Sequence, residues 1–308
     1  MPLHLSTPLL ESRAFSTPQR TLWLKMEALQ PSGSFKMRGI GHACEVHARR
    51  GAKRLMSSSG GNAGLAVACA GRQLGLPVTV VVPESTLERA KTLIRREGAE
   101  VRVHGRSWME ANEHLQSLLS EGDAFIHPFD DPLVWDGHAT MIDEVAAAGL
   151  QPDAVVVAVG GGGLLSGVIQ GLHAHGWRGV PVVAVETEGA DSLAQAVAAG
   201  RPVELPAITS IATTLGARRV CDRAFACTRE HPVTSVVVSD RQAVQACMDF
   251  AREQRLIVEP ACGAALAVAL QADAPALKGA RTVLAIVCGG AGATYEQLLD
   301  WQHQLSSP

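Results

Sequence analysis

The tightest constraint on the fold is the run DAVVVAV at residues 153–159, followed at once by Gly160, Gly161, Gly162 and Gly163 and then by the apolar helical pattern 164–175. Behind its leading aspartate the run is wholly apolar, largely β-branched and without alternation. Such a strand has no wet face and needs cover on both sides, which a parallel sheet flanked by helices provides. The same beat recurs along the chain. Strand patterns at 20–26, 54–58, 78–82, 101–104, 125–126, 181–185, 233–238 and 283–287 alternate with helical patterns at 35–50, 65–74, 87–97, 108–120, 134–147, 192–199, 240–253 and 264–270, and a terminal helix reaches 305. Alternation at these lengths predicts an α/β protein with parallel sheets and right-handed crossovers. Gly75 and Pro77 stop the 65–74 helix, and Ser239 or Asp240 caps the 240–253 helix.

A chain of 308 residues holds one large domain or two mid-sized ones, and two is the expectation. With 19% charged residues and a net charge of −3, it shows no electrostatic footprint for nucleic acid or an acidic membrane surface. The longest uncharged stretch, 154–172, has bilayer length, but its four glycines break it into strand, loop and helix. Seven cysteines, an odd number without a C-x-x-C pair, read as reduced thiols of a cytoplasmic protein without zinc. The N-terminus, MPLHLSTPLLESR, shows no signal-peptide pattern.

Chemistry is expected in the loops, because doubly wound proteins bind ligands at the carboxyl ends of their strands. In PSGSFKMRG, residues 31–39, Lys36 stands between a flexible Ser-Gly-Ser turn and a helical pattern, with the flat ring of Phe35 beside it. A lysine so placed is either a solvated charge at a helix start or an amine whose desolvation lowers its pKa and frees its lone pair for imine formation with an aldehyde cofactor. The four glycines at 160–163 suit a phosphate cradle at a helix N-terminus, with no β-carbons to hold an anion away. No lysine follows as in a nucleotide P-loop. A dinucleotide reading survives: Gly161, Gly163 and Ser166 approximate the G-x-G-x-x-G spacing, and Glu186 ends the next strand, where a ribose-binding acid would stand. The loop 59–64 forms a second anion nest to which Asn62 adds an amide. Hydrolase and metalloprotease signatures are absent.

These pieces occur in a telling order: PSGSFKMRG, SSGGNAG at 58–64, FDDPLVWDGHAT at 129–140, GGGGLLSG at 160–167, VEPACGAA at 258–265 and VCGG at 287–290. The set resembles the pyridoxal-phosphate enzymes of the tryptophan-synthase-β fold (fold type II), and within them the L-serine/L-threonine dehydratases, nearest the serine-dehydratase-like branch. The resemblance covers essentially the whole chain. It implies two parallel-sheet α/β domains with the cofactor in the cleft between them, a large one from 1–36 and 141–308 and a small one from 37–140. It implies that Lys36 holds pyridoxal phosphate as an imine and later takes the substrate α-proton, and that Phe35 packs on the ring. Asn62 would bond the ring hydroxyl, and Gly160, Gly161, Gly162, Gly163 and Leu164 the phosphate. Cys288 would lie at the ring nitrogen, where a thiol does not enforce protonation and so favours β-elimination. Ser59, Gly60, Asn62 and Ala63 would take the substrate carboxylate. A monovalent cation, K⁺, would sit among Gly160, Glu186, Ala190, Ser192, Leu215 and Ala217.

The implied reaction is elimination of L-serine to pyruvate and ammonia, and of L-threonine to 2-oxobutyrate and ammonia, by a cytoplasmic homodimer without isoleucine feedback. Two positions depart from the liver dehydratases: Gly60 stands for Ala, as in the serine-dehydratase-like branch, and Thr214 for a small Ala facing the ring. Serine racemase and β-replacement synthases are alternatives on the same fold. An NAD-dependent oxidoreductase would use the glycine loop and Glu186 but leave Lys36 and Asn62 idle, and a catalytically silent amino-acid-binding protein would use the loops alone.

Overall fold

The computed structural model describes residues 1–306. Its first half runs β1 (Leu9–Glu11), β2 (Thr21–Lys25), α1 (Lys36–Arg49), β3 (Arg54–Ser57), α2 (Asn62–Leu74), β4 (Val78–Val82), α3 (Glu88–Arg96), β5 (Glu100–Val103), α4 (Trp108–Leu118), β6 (Asp123–Phe125) and α5 (Pro132–Ala147). There follow β7 (Ala154–Ala158), α6 (Gly163–Ala174), β8 (Val182–Thr187), α7 (Ser192–Ala199), α8 (Asp222–Glu230), β9 (Val233–Val238), α9 (Asp240–Gln254), α10 (Pro260–Ala269), β10 (Thr282–Ile286) and α11 (Tyr295–Ser306).

Six strands pair in the order β1-β2-β10-β7-β8-β9 and four in the order β5-β4-β3-β6. Every pairing is parallel except that of the short β1 with β2. β7, the expected central strand, is buried at every position, as is β4 in the smaller sheet. Two elements go beyond those the sequence predicts: β1, three residues long, and α8, whose buried Ala224, Phe225 and Cys227 recur over too few residues for a periodic signal. Helix α10 begins at Pro260 rather than at 264, because a proline in the first turn gives up only an N–H that would be unpaired anyway. Ser239 is the cap of α9, in a reciprocal capping box with Gln242.

Two main apolar cores follow the two sheets, beside a smaller cluster of Met56, Val81, Ala111 and Leu115 on the four-stranded sheet. Leu22, Leu24, the β7 and β8 valines and the β10 residues form one, and Met37, Ile40, Leu55, Ala66, Val80 and Ile126 the other. Helix α10 is buried on all sides in the first, and after Pro260 it is mostly Ala, Gly and Cys, with Leu266 and Val268, so that it can lie close against the strands. Helix α5 belongs to both: Val134 near its start lies in the smaller core, and Met141, Ile142 and Val145 near its end lie in the larger.

Beneath the first turn of α1 lies a buried ionic cluster. The Arg38 guanidinium donates to Glu27 at 2.6 and 2.8 Å and to Glu144 at 2.7 and 2.8 Å. Lys25 Nζ reaches Glu144 at 2.5 Å and donates to the Thr7 carbonyl at 2.6 Å. Arg38, Lys25 and Glu27 are each 0% exposed, so their charges are tolerated only because they neutralise one another. The cluster ties the N-terminal segment, β2, α1 and α5 together and fixes where α1 starts.

Candidate active site

Because β10 lies between β2 and β7 in a parallel sheet, the loops leaving the carboxyl ends of these strands emerge side by side. The first loop ends in Lys36, the opening residue of α1. Ser34 forms a β-bridge with Gly289, and the Phe35 N–H donates to the Cys288 carbonyl at 3.0 Å, so the lysine is pinned to the loop after β10. Lys36 Nζ donates to the Pro128 carbonyl at 2.6 Å and lies 5.1 Å from the centroid of the Phe35 ring. The residue is partly exposed, but its amine is enclosed by protein. Burial lowers its pKa to about 8, against the smaller opposing pull of Cys288, Cys221 and Glu259. Its place at the positive end of α1 also disfavours the ammonium form.

The second loop is the glycine run. Gly162, at φ +94°, is the N-cap of α6, and no side chain caps this buried helix start. Its N–H groups are therefore left for an anion. A Cβ on Gly161 would lie 2.4 Å from the Phe129 ring, and one on Gly163 would lie 2.7 Å from the Phe129 carbonyl. Phe129 directly follows Pro128, the partner of Lys36, so one short segment ties the lysine to the cradle.

The smaller sheet adds the loop after β3. Here α2 also starts without a side-chain cap, at Gly61, and the Gly61 N–H donates to Ser59 Oγ at 3.3 Å. Asn62 crosses to the larger sheet: Nδ2 donates to Glu259 at 2.7 Å, and Oδ1 accepts from the Ala291 N–H at 3.0 Å. Thr214 Cγ2 lies 3.8 Å from the position of a Cβ on Gly61. Cys288 is buried, and its thiol is pushed well above the usual range by a hydrogen bond with Cys262 and by burial. It therefore stays neutral. Gly60, Gly61, Asn62, Leu65, Ala90, Leu93, Thr214, Ala291 and Gly292 line a small cavity of about 30 Å³ where the loops of the two sheets meet. A larger hollow of about 350 Å³, lined by Phe15, Arg241, Asp249 and Gln271 among others, holds none of the candidate residues.

Comparison with known proteins decides the family. A family model described as "Pyridoxal-phosphate dependent enzyme" matches residues 1–289. The chain belongs to the pyridoxal-phosphate-dependent enzymes of that family. A Mus musculus protein named serine dehydratase-like is 48% identical over 314 residues, covering 99% of this chain and 95% of its own. A Bos taurus L-serine dehydratase/L-threonine deaminase is 44% identical over 315 residues, covering 99% and 96%. The crystal structure of a fungal L-serine ammonia-lyase from Rhizomucor miehei superposes with a TM-score of 0.92 at 35% identity, covering 99% of both chains. The fold is thus the fold-type-II arrangement expected from the sequence.

The residues present fit the cofactor of this pyridoxal-phosphate family. An amine held partly deprotonated, an uncapped buried helix start lined by glycines, a neutral thiol and a cross-cleft amide meet in one cleft. The expected cation residues form a neighbouring group. Glu186 is 0% exposed, and its two oxygens accept the Leu193 and Ala194 N–H groups at 2.8 Å each, which leaves it poorly placed to hold a ribose. Burial pushes its pKa up to about 8. Ser192 Oγ beside it is buried without a partner, Ala190 is bridged to Thr187, and a Cβ on Gly160 would lie 3.1 Å from the Leu215 carbonyl. Ala217 donates its N–H to that carbonyl at 2.7 Å.

One site residue carried no role in the sequence reading. Glu259 is 3% exposed and reaches into the cleft, where Thr214 Oγ1 donates to it at 2.5 Å. The signal was present in VEPACGAA, an acid in an otherwise apolar run, but an acid directly before a helix-starting proline looks like an N-cap. Its side chain does not cap the helix.

Proposed function

We propose that this chain eliminates water from L-serine to give pyruvate and ammonia, and acts likewise on L-threonine to give 2-oxobutyrate and ammonia. The observation that carries the reading is Lys36, whose enclosed amine has a pKa lowered to about 8 and is tied through Pro128 and Phe129 to the glycine cradle. Bound pyridoxal phosphate would supply the electron-withdrawing ring that acidifies the substrate α-hydrogen. Lys36 would anchor that group and, as the free neutral amine once substrate has taken its place, would take the proton from the α-carbon. The N–H groups around Gly160, Gly161, Gly162, Gly163 and Leu164 would hold the phosphate, Phe35 and Thr214 would pack beside the ring, Asn62 would bond the ring hydroxyl, and Cys288 would serve the ring nitrogen as a neutral thiol. Ser59, Gly60, Asn62 and Ala63 hold the substrate carboxylate at the start of α2, fixing which face of the α-carbon meets Lys36.

The wider reading is a cytoplasmic homodimer with K⁺ held by Gly160, Glu186, Ala190, Ser192, Leu215 and Ala217. The unpartnered Ser192 hydroxyl and the buried Glu186 carboxyl support the cation. The division into 1–36 with 141–308 and 37–140 is supported by the two cores, with α5 spanning the boundary. A racemase draws less on the likenesses found, since the relatives quoted carry dehydratase and ammonia-lyase names. The test is direct: the purified protein with pyridoxal phosphate is yellow, borohydride fixes the chromophore on Lys36, and L-serine yields keto acid. A colourless folded protein defeats the reading, and D-serine as the main product replaces it with a racemase.

A further inference from the structure

Glu259 is the buried acid for which the reaction just described has no task. Its Oε1 accepts from Asn62 Nδ2 at 2.7 Å and Thr214 Oγ1 at 2.5 Å, and its Oε2 accepts from the Gly292 N–H at 3.0 Å. These donors come from three separate segments: the start of α2, the 3₁₀ turn Thr213–Leu215 and the loop after β10. That last loop is shaped around the carboxylate. A Cβ on Gly290 would lie 1.9 Å from Glu259 Cδ, and one on Gly292 would lie 2.7 Å from Oε2. Among the described residues no lysine or arginine forms an ion pair with Glu259, so hydrogen bonds alone fix its rotamer.

The consequence falls on Asn62. A side-chain amide on its own can turn over and exchange its oxygen and nitrogen. Here Oδ1 faces the Ala291 N–H and Nδ2 faces the Glu259 carboxylate, at 3.0 and 2.7 Å. Turning the amide would set oxygen against carboxylate and N–H against N–H, losing both bonds. One Nδ2 hydrogen remains uncommitted, beside the cavity that Asn62, Thr214 and Gly292 line. Resting on the pyridoxal-phosphate reading, we infer that Glu259 is a positioning residue that locks the Asn62 amide with its free N–H toward the bound cofactor, and that Thr214 locks Glu259 in turn. The arrangement gives Thr214 a use that an alanine there could not serve.

Apoprotein of the wild type and of Glu259→Ala, Glu259→Gln, Glu259→Asp, Thr214→Ala and Asn62→Ala is titrated with pyridoxal phosphate, following the visible absorption band, its maximum and the dissociation constant. Thermal melting of each apoprotein is recorded alongside. Glu259→Ala is expected to weaken binding at least about tenfold and to move the band maximum toward that of Asn62→Ala. Glu259→Gln keeps an oxygen for Asn62 and Thr214 but sets an NH₂ against the Gly292 N–H, so the wild-type maximum persists with only a few-fold loss of affinity. Thr214→Ala falls between the two. A Glu259→Ala protein with wild-type affinity and band, while Asn62→Ala changes both, overturns the inference. If Glu259→Ala does not fold, Glu259→Asp decides, since it keeps the charge but withdraws it by one methylene, and a wild-type band and affinity there overturn it equally. A Thr214→Ala protein identical to wild type removes the lock assigned to Thr214. A wild-type apoprotein that gains no band at all defeats the functional reading itself, a failure distinct from any of these.

Discussion

Lys25 and Lys36 bracket one short loop, and both carry their amines into the protein, yet their surroundings differ in kind. Lys25 Nζ is met by the Glu144 carboxylate at 2.5 Å, by Glu27 at 3.6 Å and by both oxygens of Thr7 at 2.6 Å. Lys36 Nζ donates to one neutral carbonyl at 2.6 Å, and the nearby Glu259 is engaged by Asn62, Thr214 and Gly292 instead. A buried amine with anionic partners is held as a structural cation, whereas one without them gives up its proton readily and becomes a base or nucleophile. The position of the carboxylates, more than depth of burial, separates the two lysines.

The sharpest way to break this contrast is to remove each side in turn. Lys36→Ala is expected to cut keto-acid release from L-serine by about 10⁴-fold with the melting temperature little changed. Comparable turnover in the variant would deny Lys36 its role. Arg38→Met removes the cation shared by Glu27 and Glu144 and should destabilise the fold by about 3–5 kcal/mol in denaturant titrations, because it leaves two carboxylates, that of Glu27 fully buried, to share the single charge of Lys25. A loss below about 1 kcal/mol would show the cluster to be much wetter than the 0% exposures of Lys25, Glu27 and Arg38 indicate.

A third measurement follows the amine through pH. The Lys36 pKa is about 8 in the folded protein against an ordinary value of 10.5, so between those values the unfolded chain binds more protons than the folded one. Wild-type stability should therefore rise from pH 8 to pH 10.5 relative to Lys36→Met, by roughly 1–3 kcal/mol after allowance for partial exposure, with a constant difference below pH 8. Parallel curves would mean that the amine is not depressed. The smallest effect is expected at Gly60, where a Cβ would lie 2.6 Å from Thr86 Cγ2. Gly60→Ala should raise KM for L-serine by about 1–2 kcal/mol in binding with kcat nearly kept, and Thr86→Ala should restore it. No rescue by Thr86→Ala would place the cause elsewhere.

Much of this architecture could be read from the chain because the signals are local. The unbroken apolar run of β7, the glycines after it and the Ser-Gly-Ser turn before Lys36 each impose a backbone outcome by themselves. What escaped was non-local. Lys25, Glu27, Arg38 and Glu144 look like ordinary surface charges in sequence, since only folding brings Glu144 onto Arg38. Glu259 hid for a similar reason: its three donors come from regions far apart in the chain, and no spacing rule joins them. Short α8 fell below the length at which periodicity can be distinguished from chance.

The seat of β2 beside β10 bears on how the protein is made. Residues Thr21 to Lys25 pair in register with Thr282 to Ile286, and the Phe35 N–H finds its acceptor on Cys288. During synthesis β2 and Lys36 leave the ribosome well before β10 and the loop that follows it. The smaller sheet, whose strands lie between residues 54 and 125, can assemble meanwhile. Closing so long a loop makes the β2–β10 pairing a slow one, and until then that edge of β2 is open. Lys36 is thus translated well before the Cys288 and Gly289 backbone that pins its loop in place.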